Sequence, residues 1–383
     1  MKKTTMKLFS LLIVVIMVCS VFIGCTAKEE APKDDGEAGT SDSVDNAVQD
    51  KASSGDLTKI RVGTQPTTIG VPAQYALEKG YFKEEGLDVD LVLFPTGAPL
   101  NEAIAAGELD VAANGLASVF PLANGVCEWI GEANTTGGMG IYVREGSPIL
   151  ENKGEIEGKP DMYGTAESIK GTTFLGPIGT SAQFNVMRYI QHFGLSDADI
   201  EQIHMDHGQA YQAYVAGEGD ALATSPPFSY DAEDSGFIMA ASFEDATESP
   251  LFDGLLARKD YSADNPESVK AFVKAYYRAC EDLMSDPEMR KEYSIDWFTK
   301  NGREYNEETM LKEIEDRDYV TQSMMESEDY SYGLGMLAIA DFYTFDGKVE
   351  EADLPNVPES FNVSYIEDIM DIKINIATYD DLK

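Results

Sequence analysis

The segment 172–194, "TTFLGPIGTSAQFNVMRYIQHFG", has the residue types of an anion site at the start of a helix. It consists of an apolar strand, a turn, and a helix that begins at Gly179, Thr180 and Ser181. The first turn of a helix leaves N–H groups unpaired at the positive end of the helix dipole, which stabilises anions. The alternative is that Thr180 or Ser181 is an ordinary N-cap. Nucleotide loops are excluded, because neither glycine-rich phosphate-binding motif occurs.

A second candidate for chemistry is "HMDH", which contains His204, Asp206 and His207. Successive side chains of a strand point to opposite faces, so His204 and Asp206 share a face that His207 does not. The three side chains therefore do not converge as metal ligands must, and we expect no metal and no cofactor. His207 stays open between a hydrogen bond to a bound solute and an ordinary loop position.

The N-terminal residues predict export and attachment to a membrane. Residues 1–24 have a basic start followed by an uncharged apolar run, which is the layout of a secretory signal. The following "FIGC" resembles the bacterial lipobox, apart from Phe22, and predicts that Cys25 is lipidated; the alternative is ordinary cleavage. Residues 25–56 are acidic and lack aromatic side chains, so we expect a disordered tether.

Charge and cysteine content exclude further classes of function. Removing residues 1–24 changes the formal charge from -39 to -42, since Lys2, Lys3 and Lys7 leave and no acidic residue does. A protein with this much negative charge is repelled by the phosphates of nucleic acid. We therefore exclude nucleic acid as a partner. Beyond the leader, Cys127 and Cys280 either form a disulfide or, as we expect, are two buried free thiols.

An internal repeat sets the expected architecture. Around Ala73 and Ala182 the sequence reads "GVPAQY" and "GTSAQF", and around Ala103 and Ala213 it reads "NEAIAAGELDVAANG" and "YQAYVAGEGDALATS". The two matches have nearly the same offset along the chain, which indicates two units of alternating strands and helices. Such units form parallel sheets that bind ligands beyond the carboxyl ends of their strands. The C-terminal third shows a helical apolar period and is expected to be structural.

These stretches resemble solute-binding proteins of ABC importers, in the nitrate, sulfonate, taurine and pyrimidine-precursor branch. The resemblance extends over nearly all of the chain from Leu57 onward. It is carried by "ALEKGYFKEEGLDVDLVLFPTGAPLNEAIAAGELDVAANG", "ESIKGTTFLGPIGTSAQFNVMRYIQHFGL", "VAGEGDALATSPPF", "NPESVKAFVKAYYRA" and "FDGKV".

The resemblance implies an α/β, bilobal type II periplasmic-binding-protein fold. Each lobe would have a central, mostly parallel sheet, and the first lobe would be discontinuous. We place lobe 1 at residues 57–143 and 258–383, and lobe 2 at residues 144–257. The segment 147–171 is longer than the usual link between the lobes.

On such a fold the strand-end loops form the site. Its expected members are small or neutral polar residues together with one aromatic ring. They are Gln65, Pro66, Thr67, Thr96, Gly97, Asn114, Gly115, Gly179, Thr180, Ser181, Gln183, His207, Pro227 and Phe228. These loops contain no arginine, and Arg144, near the first connection between the lobes, is expected to be a surface or hinge residue.

The implied function is capture of a small anionic or pyrimidine-like solute outside the cytoplasm. The expected partners are a permease, its ATPase and, through the lipid, the membrane, with the binding protein itself a monomer. The alternative is an enzyme on the same fold, which would need a poised acid, base or nucleophile in the cleft. The cysteine-rich motif of the enzyme-like pyrimidine-synthesising members does not occur here.

We predict that Cys25→Ser releases the protein from the membrane fraction, because the variant has no thiol to carry lipid. Fractionation followed by mass spectrometry of the mature N-terminus checks this. A normally cleaved Cys25→Ser protein that stays attached would contradict the prediction.

Overall fold

Two five-stranded sheets organise the chain in this computed structural model, which describes residues 57–247, 251–303 and 305–382. The predicted leader, Cys25 and the tether 25–56 lie outside the described residues. The strands are β1 (Thr58–Thr64), β2 (Leu87–Leu93), β3 (Val111–Asn114), β4 (Cys127–Thr135), β5 (Gly140–Val143), β6 (Thr173–Gly176), β7 (Glu201–His204), β8 (Ala221–Thr224), β9 (Ile238–Ser242) and β10 (Phe252–Arg258).

The two sheets have the same topology, which confirms the predicted repeat. The first has the order β2-β1-β3-β10-β4 and the second has the order β7-β6-β8-β5-β9. In each sheet the first three strands are parallel and the last two join antiparallel to their neighbours. Each lobe is therefore a mixed sheet with a parallel half, in which helices connect successive parallel strands.

Sheet membership corrects the expected positions of two strands. The expected boundaries put β5 in lobe 1, but it pairs with β8 and β9 in the second sheet. They put all of β10 except its last residue in lobe 2, but β10 pairs with β3 and β4 in the first sheet. The connections between the lobes are therefore residues 136–139, which we call the hinge segment, and the return segment between Thr247 and Phe252. Short apolar strands at a connection fit either sheet, so composition does not assign them.

Helices cover both sheets and form most of the C-terminal third. They are α1 (Gly70–Lys79), α2 (Tyr81–Glu84), α3 (Gly97–Ala105), α4 (Val119–Ala123), α5 (Ala166–Ile169), α6 (Ser181–His192), α7 (His207–Val215), α8 (Phe228–Asp234), α9 (Phe243–Thr247), α10 (Lys259–Asp264), α11 (Pro266–Ser285), α12 (Pro287–Lys300), α13 (Glu307–Asp316), α14 (Gln322–Met325), α15 (Leu334–Phe345), α16 (Asn356–Glu359) and α17 (Ser364–Met370). Four glycines have positive φ just after a helix, as is common where helices end, and they are Gly80, Gly107, Gly194 and Gly217.

The C-terminal helices contact both lobes. In lobe 1, the Tyr277 hydroxyl on α11 donates to the carbonyl of Glu132 on β4, 2.7 Å away. Toward lobe 2, the Tyr343 hydroxyl on α15 donates to the Thr180 carbonyl at 3.2 Å, and Tyr230 on α8 donates to Asp316 on α13 at 2.7 Å. The C-terminal third therefore bridges the lobes as well as packing on one of them.

The first lobe also holds the two cysteines of the folded body. Cys127 and Cys280 are both buried free thiols, as the sequence predicted. Burial raises the pKa of Cys127 to about 12, so this thiol stays protonated and unreactive near neutral pH. Among the described residues, no helix is long and apolar enough to cross a membrane.

We predict that Glu132→Gln stabilises the protein above neutral pH. Glu132 is 2% exposed, and burial raises its pKa to about 7 from 4.5. The folded state then binds the proton more tightly than the unfolded state, so the stability contributed by protonated Glu132 is lost as pH rises from about 4.5 to about 7. That loss is of order 3 kcal/mol, at 1.36 kcal/mol per pKa unit.

Urea unfolding of both proteins across this pH range measures the difference. The two stability curves should separate as pH rises, with Glu132→Gln the more stable protein at pH 8. The amide oxygen of the substituted side chain keeps an acceptor for the Gly333 N–H, which donates to Glu132 Oε1 at 3.0 Å. Parallel curves would show that Glu132 does not titrate in this window.

Candidate solute-binding cleft

The hinge segment brings the carboxyl edges of the two sheets face to face. β4 ends at Thr135 on the carboxyl edge of the first sheet, where it pairs with Phe252 at the start of β10. β5 begins at Gly140 on the carboxyl edge of the second sheet, where it pairs with Thr224, the last residue of β8. An extended chain covers at most ~3.6 Å per residue, so Thr135 and Gly140 are separated by roughly 18 Å or less. The strand-end loops of both lobes therefore border one cleft.

In lobe 1, Asn114 organises the expected site loops. Its Oδ1 accepts Gln65 Nε2 at 2.7 Å and the Gly115 N–H at 2.9 Å, and its Nδ2 donates to Asn101 at 2.8 Å. A Cβ built at Gly97 would lie 2.9 Å from the same Oδ1, so the approach of this loop requires glycine. Asn114 is fully buried. Its role in this structure is to position loops whose neighbouring residues face the cleft.

The other expected residues of lobe 1 lie at the surface of the same edge. Those that are exposed or partly exposed are Gln65, Pro66, Thr67, Thr96, Gly97 and Gly115.

In lobe 2, the start of α6 is capped by its own side chains. Thr180 Oγ1 accepts the Ala182 N–H at 3.2 Å and donates to the Pro177 carbonyl at 2.8 Å. Gln183, which is buried, accepts the Gly179 N–H at 2.9 Å. The Thr180 hydroxyl is thus occupied as an ordinary N-cap, which is the alternative that the sequence left open. Ser181 differs, since its hydroxyl contacts only the weak acceptor Met139 Sδ, at 3.3 Å.

His207 lies at the adjacent strand end and is held by two hydroxyl groups. Nδ1 is 3.1 Å from Thr224 Oγ1, and Nε2 is 3.3 Å from Ser225 Oγ. Burial, followed by the positive charges of Arg303 and Arg317, lowers the pKa of His207 to about 4. The imidazole is therefore neutral at physiological pH, so one ring nitrogen donates and the other accepts, and the tautomer decides which.

The aromatic side of this edge is formed by Phe228. Pro227 and Phe228 follow β8 and are both partly exposed. The Phe228 ring packs against Gly208, and a Cβ built at Gly208 would lie 3.0 Å from the ring. The ring centres of Phe228 and Tyr211 are 6.0 Å apart. The Phe228 ring at the start of α8 therefore packs on α7, and its contact with a solute stays a prediction.

The structure separates the histidines of "HMDH" and gives Arg144 a structural role. His204 Nδ1 accepts the N–H of Ile178 at 2.9 Å, away from the partners of His207. Within the described ranges, no cluster of three His, Cys, Asp or Glu side chains could hold a metal ion. Arg144 stacks on Tyr214 and donates to carbonyls of Tyr214 and Gly219 near the end of α7. It is therefore remote from the carboxyl edge.

Charged residues from the C-terminal third enter the cleft, which the sequence did not predict. The Val320 N–H donates to the Ala133 carbonyl at 2.8 Å, and the Thr135 N–H donates to the Asp318 carbonyl at 2.9 Å, so this segment runs beside the end of β4. It places Arg317 under the hinge segment, where Nε donates to the Gly137 carbonyl at 2.9 Å. Arg317 is 8% exposed and lies 3.7 Å from the carboxylate of Glu313.

Arg303 is the second arginine near the cleft. It follows α12, whose Trp297 indole donates to the Thr67 carbonyl of lobe 1 at 3.4 Å. Its guanidinium has no hydrogen bond or ion pair with any described residue, and burial lowers its pKa. The positive charge of Arg303 helps to lower the pKa of His207 in lobe 2, so Arg303 lies between the lobes. It is half-buried, and no described carboxylate forms an ion pair with it. Such a group favours an anionic ligand.

A cavity of about 310 Å³ lies beside the hinge segment, between lobe 2 and α13. It is bordered by Gly138 and Met139 and lined by several carboxylates and one lysine, Lys312. None of the expected site residues lines it. The lining is therefore predominantly negative.

Comparisons with known proteins agree with this geometry. The NMT1-like family matches residues 53–295. The chain belongs to the NMT1-like family. A protein of Brachyspira hyodysenteriae named as an ABC transporter periplasmic binding protein is 30% identical, over 84% of this chain and 92% of that protein.

A solved structure and a yeast enzyme extend the comparison. The alkanesulfonate-binding protein SsuA from Xanthomonas axonopodis pv. citri, bound to MOPS, has a TM-score of 0.61 at 18% identity. The match covers 81% of this chain and 100% of that one, and it confirms the bilobal periplasmic-binding-protein fold. The 4-amino-5-hydroxymethyl-2-methylpyrimidine phosphate synthase THI13 of Saccharomyces cerevisiae is 24% identical over 58% of this chain and 66% of that one.

We predict that Thr180→Ala and Ser181→Ala affect different properties. Thr180→Ala removes a cap, so it should lower unfolding free energy by ~1 kcal/mol and leave solute affinity nearly unchanged. Ser181→Ala removes a poorly partnered hydroxyl, so stability should hold while affinity falls, up to about tenfold for a lost hydrogen bond. Urea midpoints and calorimetric dissociation constants measure both. Stability loss with intact binding in both variants would exclude a solute contact by the Ser181 hydroxyl.

Proposed function

We propose that this protein is the extracytoplasmic solute-binding component of an ABC importer. It captures a small organic anion between the carboxyl edges of its two lobes and delivers it to a permease. The observation that carries the proposal is the half-buried guanidinium of Arg303, unpaired among the described residues, between two loop sets of neutral donors. A half-buried cation that forms no ion pair with a described residue is unfavourable until an anion binds, so it supports binding of an anion in particular.

The neutral parts of the site suit the same task. Ser181 and Ser225 offer hydroxyl groups that donate without carrying charge, and His207 contacts the Ser225 hydroxyl through Nε2. Such donors hold an anion at moderate strength, which is compatible with later release. A solute that binds one arrangement of the lobes more tightly than the others increases the population of that arrangement. The permease then recognises that arrangement. Both named binding proteins compared above support this role, and the lipid anchor expected at Cys25 would keep the protein beside its permease.

Catalysis is the competing function, and the Ser225–His207 contact is the observation that could favour it. A serine nucleophile needs a histidine base whose second nitrogen is oriented by a carboxylate or similar group. Here the second nitrogen contacts the hydroxyl of Thr224, and a pKa of about 4 makes His207 a weak base. The geometry therefore supports binding over acyl transfer.

The most direct test is native mass spectrometry of the protein purified from its own host. A co-purified small acid supports the proposal, and its mass identifies the solute. Turnover of that solute by the purified protein would contradict it and favour the enzyme.

We predict that Arg303→Gln weakens binding of that acid about ten- to a hundredfold, the effect of losing a hydrogen bond to a charged group. Arg278→Gln is the matched control, because Arg278 on α11 is 47% exposed and pairs with Glu84 at the surface. It should leave affinity unchanged. Equal affinities of wild type and Arg303→Gln would remove Arg303 from the site.

A further inference from the structure

The C-terminal third holds the turn 65–69 of lobe 1, which joins β1 to α1. Three residues of this turn, Gln65, Pro66 and Thr67, are expected solute contacts and are partly exposed. Three successive carbonyls of the turn accept hydrogen bonds from buried aromatic side chains of the C-terminal third. The donors are the Trp297 indole to Thr67 at 3.4 Å, the Tyr319 hydroxyl to Thr68 at 3.3 Å and the Tyr276 hydroxyl to Ile69 at 3.0 Å. The position of the expected contacts therefore depends on residues that are distant in the sequence.

Thr68 adds a side-chain contact to these three backbone contacts. It is 3% exposed, and its Oγ1 donates a hydrogen bond to Oε1 of Glu313 on α13. Glu313 is also 3% exposed, so the bond is shielded from water. A hydrogen bond to a carboxylate is roughly twice as strong as one between neutral groups. Thr68 therefore anchors the turn without facing the cleft itself.

The Glu313 carboxylate contacts two further parts of the cleft. Its Oε2 accepts the hydroxyl of Tyr305, two residues after Arg303, at 3.2 Å. Its Oε1 lies 3.7 Å from Nη1 of Arg317, whose Nε donates to the Gly137 carbonyl of the hinge segment. One carboxylate thus joins the turn 65–69 to the segment that carries Arg303 and, through Arg317, to the hinge segment.

Neutralising Arg317 does not by itself account for this arrangement. The positive charge of Arg317 also opposes the burial that raises the pKa of Asp253, the second residue of β10, to about 6. Arg317 therefore interacts with carboxylates from two directions. Glu313 is the one of the two that also accepts the Thr68 hydroxyl, and an ion pair with Arg317 has no need of that hydroxyl.

We propose that Thr68 and Glu313 are positioning residues of the solute site, which hold Gln65, Pro66 and Thr67 in a fixed place relative to Arg303. This inference rests on the proposed function and deepens it. Neither positioning residue contacts the solute. A turn that is fixed before binding loses less conformational freedom when the solute binds, and this increases affinity. The C-terminal third, which the sequence indicated to be structural, then sets the strength of solute binding.

The first test removes the Thr68 hydroxyl and keeps the ion pair. Thr68→Val should weaken binding of the acid that co-purifies from the host about tenfold, the lower end for a lost hydrogen bond to a charged group. Thr68→Ser restores a hydroxyl and should bind this acid like wild type. Calorimetric dissociation constants and urea midpoints are measured for each variant.

Ser262→Ala is the matched control. It removes another buried hydroxyl that donates to a carboxylate, at 2.6 Å from Glu128 Oε2, near the start of β4 and thus at the opposite edge of the first sheet. It should lower the urea midpoint and leave affinity unchanged. A lower midpoint with unchanged affinity in Thr68→Val as well would overturn the inference and make the Thr68 contact purely structural.

The second test needs no solute. Hydrogen–deuterium exchange of the solute-free protein is followed in the turn 65–69 and, as an internal reference, in α6. Thr68→Val should accelerate exchange in the turn relative to α6 about tenfold, while Thr68→Ser and Ser262→Ala should not. Unchanged exchange in Thr68→Val overturns the inference whether or not the proposed function stands, and it decides alone if no acid co-purifies.

A second variant covers the case in which Thr68→Val does not fold. Tyr305→Phe frees the segment that carries Arg303 from the same carboxylate, and the ring can keep its stacking on Phe298, whose centre is 4.6 Å away. It should weaken binding of the co-purified acid and accelerate exchange in that segment. Wild-type affinity and wild-type exchange in Tyr305→Phe would then overturn the inference.

Discussion

The hinge segment 136–139 is the constraint on which the cleft depends. It joins the carboxyl edge of one sheet to the carboxyl edge of the other, so the strand ends of the two lobes must face each other at short range. Arg317 donates a hydrogen bond to the Gly137 carbonyl of the hinge segment. The residues that follow Arg317 pair with the end of β4, which holds Arg317 in place. Breaking that support would leave a buried guanidinium with an incomplete set of partners, which is strongly destabilising.

The cleft combines two kinds of group with different tasks. Loop residues such as Ser181 and His207 are neutral and set local hydrogen-bond geometry. The charged groups come from elsewhere, with Arg303 from the C-terminal third and Asp253 from the returning strand β10. Neutral donors therefore come from the local loops, and the charged groups come from segments that are distant in the sequence.

Contacts across the cleft also connect the lobes. The Tyr230 hydroxyl of lobe 2 donates a hydrogen bond to the Asp316 carboxylate. The Tyr343 hydroxyl donates a hydrogen bond to the Thr180 carbonyl at the start of α6. Both come from C-terminal helices that pack mainly on lobe 1. A movement of lobe 2 must therefore change or carry these contacts, which couples the C-terminal third to closure around a solute.

The sequence by itself predicted the repeated units and the strand-end loops that border the cleft, because these depend on local patterns. Glycines that end helices, alternating strands and helices, and the cap at Thr180 need only neighbouring residues to form. Tertiary structure alone decided the rest. The sheet of β5 and of β10 depends on long-range pairing, since a short apolar strand suits either sheet. Arg303, Arg317 and Asp253 have no local motif, and distant pairing brings them to the cleft. Asn114 stays a predicted ligand contact, and its full burial among the loops that it holds depends on the whole fold.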